Sequence, residues 1–154
     1  MLDYNLSLPS GMEIAVGDCL LEAIREAFPS GTPPERPVTG HRCDECDEVD
    51  RLLGGRIWSE VADDFPRFCH DTYPLLTLSA KVYYLPAYLC HVVHTPDSIA
   101  GVSLQGTLVR GDLPREAFTP AQRAVILQWA ETYYRDEPGG RPPDSVLASW
   151  GGVK

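Results

Sequence analysis

Thr77-Leu78-Ser79-Ala80-Lys81-Val82-Tyr83-Tyr84-Leu85-Pro86-Ala87-Tyr88-Leu89-Cys90-His91-Val92-Val93-His94 is the most apolar run of the chain, and Lys81 is its only formal charge. Thr77 offers an oxygen to cap a helix through Leu85. A helix so poor in charge is apolar on every side and has to be buried nearly all round. Pro86 has no N–H to donate and is expected to kink the helix or restart it before Ala87 to His94. Such an element needs other helices around it, which makes it the spine of the fold. The uncharged stretch between Lys81 and Asp97 falls short of the roughly 20 apolar residues that a spanning helix needs, so no membrane segment is expected.

On the N-terminal side, Leu20, Leu21, Ile24, Ala27 and Phe28 recur at helical spacing after a plausible cap at Asp18, and Pro29 ends that helix. Ser30 to Gly40 holds Pro33, Pro34 and Pro37 and reads as a surface loop. A second helix is expected over Cys43 to Leu53, with Cys46, Val49, Leu52 and Leu53 inward and Gly54-Gly55 supplying its stop. Arg56 to Val61 is ambiguous between strand and turn, and Phe65 to Asp71 suits a brief helix.

On the C-terminal side, residues 95 to 112 are rich in glycine and β-branched residues and are expected as a loop or a small β-hairpin. Thr119-Pro120-Ala121-Gln122 is a capping box with proline in the first helical position, opening a helix to about Arg135 with Val125, Ile126, Trp129, Ala130 and Tyr133 on one face. Pro138-Gly139-Gly140 then interrupts the chain before a short helix holding Val146, Leu147 and Trp150. With no repeat and no shift of composition, the expectation is a mainly α, irregular single-domain helical bundle over residues 1–154. Its ends are read as an extended arm over 1–14 and a flexible tail over 151–154.

At 154 residues, 44% of them apolar, the chain has material for one core. Its N-terminus lacks the basic and apolar regions of a secretory leader. Five cysteines without that leader read as thiols or metal ligands, which suits a cytoplasmic protein. A formal net charge of −9 disfavours nucleic acid, because phosphate binding needs clustered Lys and Arg. A basic protein is the better electrostatic partner. Residues 41 to 64 carry Asp44, Glu45, Asp47, Glu48, Asp50, Glu60, Asp63 and Asp64 against Arg42, Arg51 and Arg56. A run of this kind is ordinarily a solvated helix face. The sharper expectation makes Asp44, Glu45, Asp47 and Glu48 contacts for a cationic protein, whose approach the charge would accelerate.

His41-Arg42-Cys43-Asp44-Glu45-Cys46 is the best candidate for chemistry. Cys43 and Cys46 lie one helical turn apart, and His41 precedes them, so His41, Cys43 and Cys46 offer three ligands of a tetrahedral zinc site. A fourth would have to come from Cys69, His70, Cys90, His91 or His94. The bland alternative is reduced, buried thiols. The same pair could be a redox dithiol at a helix N-terminus, although the flanking acids oppose thiolate formation and no βαβ pattern surrounds it. His91 and His94, at i and i+3, are more ordinarily helix-end caps or a satisfied pair than ligands. Tyr83, Tyr84 and Tyr88 are more ordinarily core than pocket. Glycine-rich dinucleotide and phosphate loops, HExxH and GxSxG are absent from the sequence, so no catalytic residue is assigned.

The string Leu76-Thr77-Leu78-Ser79-Ala80-Lys81-Val82-Tyr83-Tyr84-Leu85-Pro86-Ala87-Tyr88-Leu89 resembles the pattern L-T-P-E-A-x-x-Y-Y-L-P-A-Y-L of an uncharacterised bacterial protein family. The HRCDEC segment, followed by Gly54-Gly55-Arg56-Ile57-Trp58, is similar to that family's upstream H-x-C-x-E-C and G-x-x-W stretch. Leu78 and Ser79 depart from its Pro and Glu, leaving the Thr77 cap. The resemblance covers about residues 40 to 90 and implies a bacterial cytosolic protein with a structural role for Leu85, Pro86, Ala87, Tyr88 and Leu89. It implies no activity. Two functional expectations follow. The first is a small acidic binding protein, of the immunity or antitoxin kind, that masks a basic toxin or effector domain and needs no cofactor. The second is a zinc protein built on His41, Cys43 and Cys46, with a structural or hydrolytic role.

Overall fold

The computed structural model describes residues 10–135 and 138–151, with residues 10–16 described by backbone alone. Seven α-helices form the described part: α1 (Ser10–Ala27), α2 (Asp44–Leu53), α3 (Trp58–Asp63), α4 (Leu78–His94), α5 (Ile99–Arg110), α6 (Pro120–Tyr134) and α7 (Asp144–Trp150). The only β pairing among the described residues is a single antiparallel bridge between Thr39 and Leu76. The expected helical bundle is therefore what forms.

The Thr77–His94 run is its centre. Thr77 caps α4 by accepting from the Ala80 N–H at 3.2 Å, and α4 packs against α1, α3 and α5. Leu85, Pro86, Ala87, Tyr88, Leu89 and Cys90 are all buried. The helix runs through Pro86 without a restart, contrary to that part of the expectation. An interior proline costs roughly 3 kcal/mol, and burial on every side of this segment outweighs it. The tyrosines bring their hydroxyls to fixed partners. Tyr84 donates to the Leu53 and Arg56 carbonyls at 2.6 and 2.8 Å, Tyr88 to that of Cys69 at 3.0 Å, and the half-buried Tyr83 to that of Ser30 at 2.6 Å. Trp129 on α6 donates to the Leu89 carbonyl at 3.2 Å. These bonds satisfy polar tips that would otherwise be stranded in the core; Tyr84 and Tyr88 are core, and Tyr83 packs half-buried against it.

Four expectations are corrected. Residues 99–110 form a helix, not a loop or hairpin: Ala100, Leu104, Thr107 and Leu108 are its buried face, and Gly101 lets it lie against Tyr133, where a Cβ would meet the ring at 3.0 Å. Gly111, at φ +70°, supplies the left-handed stop. Helix α1 begins at Ser10, before Asp18, so 10–14 of the proposed arm is helical, while 1–9 lies outside the described residues. Of the proposed tail, 152–154 also lies outside them. The ambiguous Arg56–Val61 stretch becomes α3, with Trp58 and Val61 buried, and Phe65–Asp71 contains only a 3-10 turn over Arg67–Cys69. The Thr119 capping box forms with both reciprocal bonds, at 3.1 and 2.9 Å.

Candidate metal centre

The segment from Arg36 to Cys46 is fastened at both ends. Val38 accepts from the Thr77 N–H at 2.8 Å, and the Gly40 N–H donates to Leu75 at 3.3 Å, so the loop lies against the entrance to α4. Asp50, one turn from the end of α2, accepts from the Val38 N–H at 2.8 Å and from Arg36 Nη2 and Nε at 2.8 and 3.1 Å. Burial alone would raise the Asp50 carboxyl, but these hydrogen bonds outweigh it and hold the carboxyl below its usual range. The loop that carries His41 is thus tied to the helix that carries Cys46.

Cys43 is the residue just outside α2, in an extended conformation (φ −163°, ψ 169°), and its sulfur accepts from the Cys46 N–H at 3.3 Å. This places both sulfurs at the first turn. His41 Nδ1 stands 3.9 Å from Cys46 Sγ, and one donor atom from each of His41, Cys43 and Cys46 lies within 4.8 Å of the others. His41 is exposed, Cys43 half-buried and Cys46 fully buried. The Cys46 N–H, with help from His41, draws the Cys43 thiol below its ordinary pKa. Burial, reinforced by Cys43, pushes the Cys46 thiol up. The acids flanking the pair do not prevent this, because the backbone donor acts at contact distance. His41 and Cys43 border an open cleft of about 570 Å³ whose walls include Thr39, Arg42, Asp44 and Asp47, while Cys46 lies buried behind them.

A tetrahedral zinc ion with bonds of about 2.0–2.3 Å needs donors roughly 3.3–3.8 Å apart. The His41–Cys46 pair, at 3.9 Å, is already close to that spacing, and no pair has to contract by more than about 1.5 Å from the 4.8 Å limit. The donor types also suit zinc: two thiolates and one neutral imidazole balance its charge. None of the expected fourth donors, Cys69, His70, Cys90, His91 or His94, joins the trio among the described residues. Cys69 and Cys90 are buried, and burial raises each to about 11. His91 stacks on Phe65 at 4.3 Å, lies 4.4 Å from His70 between ring centroids, and sits 3.2 Å from Thr95 Oγ1 at the end of α4. Burial and the neighbouring histidines lower it to about 4.

The acidic surface is smaller than its composition suggests. Glu48 pairs with Arg51, Asp50 with Arg36 and Asp63 with Arg25. Asp44, Glu45 and Asp47 remain exposed in the first turn of α2, without an ion pair among the described residues. Of the four expected contact residues, Glu48 is therefore half-buried and neutralised by its neighbour, which a count of charges does not reveal. No described helix is long and apolar enough to cross a membrane. Comparison with protein-family models, curated proteins and solved structures found no match.

Proposed function

We propose that this chain is a metal-binding protein that holds zinc between His41, Cys43 and Cys46. The observation that carries the reading is the convergence of these three donors within 4.8 Å on a loop fastened to α2. Three protein ligands, two of them lining an open cleft, leave a fourth coordination position for water, a carboxylate of Asp44 or Asp47, or a bound molecule. An open fourth position separates hydrolytic zinc from the closed, four-ligand structural kind. The bacterial cytosolic setting implied by the sequence resemblance suits the site, because a reducing compartment keeps both thiols available. Elemental analysis of protein purified without added metal or chelator tests it. About one zinc per chain, with Cys43 and Cys46 protected from thiol reagents, is the expected result; a chain that stays metal-free after reduction and zinc addition overturns the reading.

A second reading is supported by the unpaired Asp44, Glu45 and Asp47. They form a small anionic face on which a basic protein would dock, as an immunity or antitoxin-like partner does. Its signature is binding that weakens steeply with salt. A partner retained equally at low and high salt would contradict it.

A further inference from the structure

Oxidation of the same two sulfurs is set up by their placement. Cys43 stands outside the helix in extended conformation, so its side chain can turn at the expense of the 3.3 Å cap bond to the Cys46 N–H and its contact with His41. Residues three apart at a helix start are neighbours, at a separation within the reach of a disulfide. The two sulfurs already lie within 4.8 Å of each other. Their access is unequal: Cys43 borders the cleft, whereas Cys46 is 0% exposed. An external reagent therefore reaches Cys43 alone, and Cys46 can react only with a group already carried on Cys43.

We infer that Cys43 and Cys46 are a reactive dithiol, closed to an intramolecular disulfide by a small-molecule disulfide, and that closure dismantles the His41/Cys43/Cys46 donor set. The second clause rests on the zinc reading above; the first does not. In the first step the Cys43 sulfur attacks one sulfur of RS–SR. That S–S bond breaks, and one RS⁻ leaves with the electron pair. In the second, the Cys46 sulfur attacks Cys43, the bond to the remaining RS group breaks, and a second RS⁻ departs. The two protons lost by the cysteines go to the two departing thiolates. The protein is oxidised by two electrons, and the small disulfide is reduced to two thiols. A zinc ion held by the reduced pair loses two of its three protein donors.

The test uses the full chain carrying Cys19→Ser, because Cys19 is exposed on α1 and would take up the reagent independently. Cys69 and Cys90 are buried and are expected to stay silent. Reduced protein, with and without zinc, is treated with oxidised glutathione and followed by intact mass, peptide mapping and bound-zinc assay. The expected result is loss of the mass of two hydrogens, mapped to a Cys43–Cys46 bond, with zinc released on oxidation and rebound on reduction. Cys46→Ser should stop at a glutathione adduct on Cys43, and Cys43→Ser should give neither product. The parent chain carries the test if Cys46→Ser folds poorly. Two thiols that stay free in native protein, or an adduct on Cys43 that persists beside a free Cys46, overturn the inference. A disulfide that forms in protein unable to bind zinc sinks the zinc reading and leaves the dithiol standing. Zinc bound beside two inert thiols does the reverse.

Discussion

Replacing Cys43 with serine separates the metal site from the helix start, because the same atom serves both. In the metal-free protein the sulfur is an N-cap acceptor, 3.3 Å from the Cys46 N–H. Serine is among the preferred residues there, and a good cap contributes on the order of 1 kcal/mol. The metal-free Cys43→Ser chain should therefore be as stable as the parent, or more stable by up to about 1 kcal/mol. With zinc at about a hundred times its dissociation constant, the parent should gain roughly 2.7 kcal/mol. At about 2–4 °C per kcal/mol for a chain near this size, that is a rise in melting temperature of roughly 5–10 °C. The variant keeps one imidazole and one thiol and should lose nearly all of that rise. Thermal melts by circular dichroism, in a non-chelating reductant with zinc or EDTA, read both quantities. Equal zinc-dependent shifts in parent and variant would refute the ligand assignment, and a metal-free variant that unfolds would refute the capping argument.

Asp50→Ala removes the acceptor that fastens Arg36 and Val38 to α2. It should cost about 1–3 kcal/mol in urea unfolding and weaken zinc binding about tenfold, as loss of a supporting contact does; an unchanged zinc titration would show that the loop is held without it. His91, lowered to about 4 in the fold, binds a proton more readily when unfolded, near 6.5. Its contribution to stability is then complete above about 6.5 and falls as pH drops toward 4. His91→Gln should flatten the melting-temperature profile across that window, and a parent profile already flat there would contradict the lowered value. Tyr84→Phe removes the donor to the Leu53 and Arg56 carbonyls, of which Leu53 keeps its bond from the Arg56 N–H, and should lower stability by about 1–3 kcal/mol at unchanged urea m-value; a loss below a few tenths would mean that water reaches the Arg56 carbonyl.

Local patterns were legible in the chain wherever one segment carries its own instruction. The Thr119-Pro120-Ala121-Gln122 box needs only residues three apart, and it forms as read. The apolar run after Thr77 demands burial on all sides whatever surrounds it, and α4 is the centre of the bundle. His41, Cys43 and Cys46 are close in sequence, so their convergence at one helix start follows from spacing. Helix α5 is hidden in the sequence because its glycine and β-branched content masks the period of Ala100, Leu104, Thr107 and Leu108. Gly101 packs against Tyr133, thirty-two positions away, where an added Cβ would meet the ring at 3.0 Å, a contact that no local pattern announces.

The residues alone thus settled a helical bundle around α4 and a His/Cys/Cys motif at the start of α2, because capping, burial and ligand spacing act over a few positions. Three-dimensional packing settled the rest. It buried Cys46 while leaving Cys43 at a cleft, paired Glu48, Asp50 and Asp63 with arginines, and kept Cys69, Cys90 and the histidines of α4 away from the trio. Those outcomes depend on which distant segments meet, and solvent exposure and ion pairing exist only once they have met.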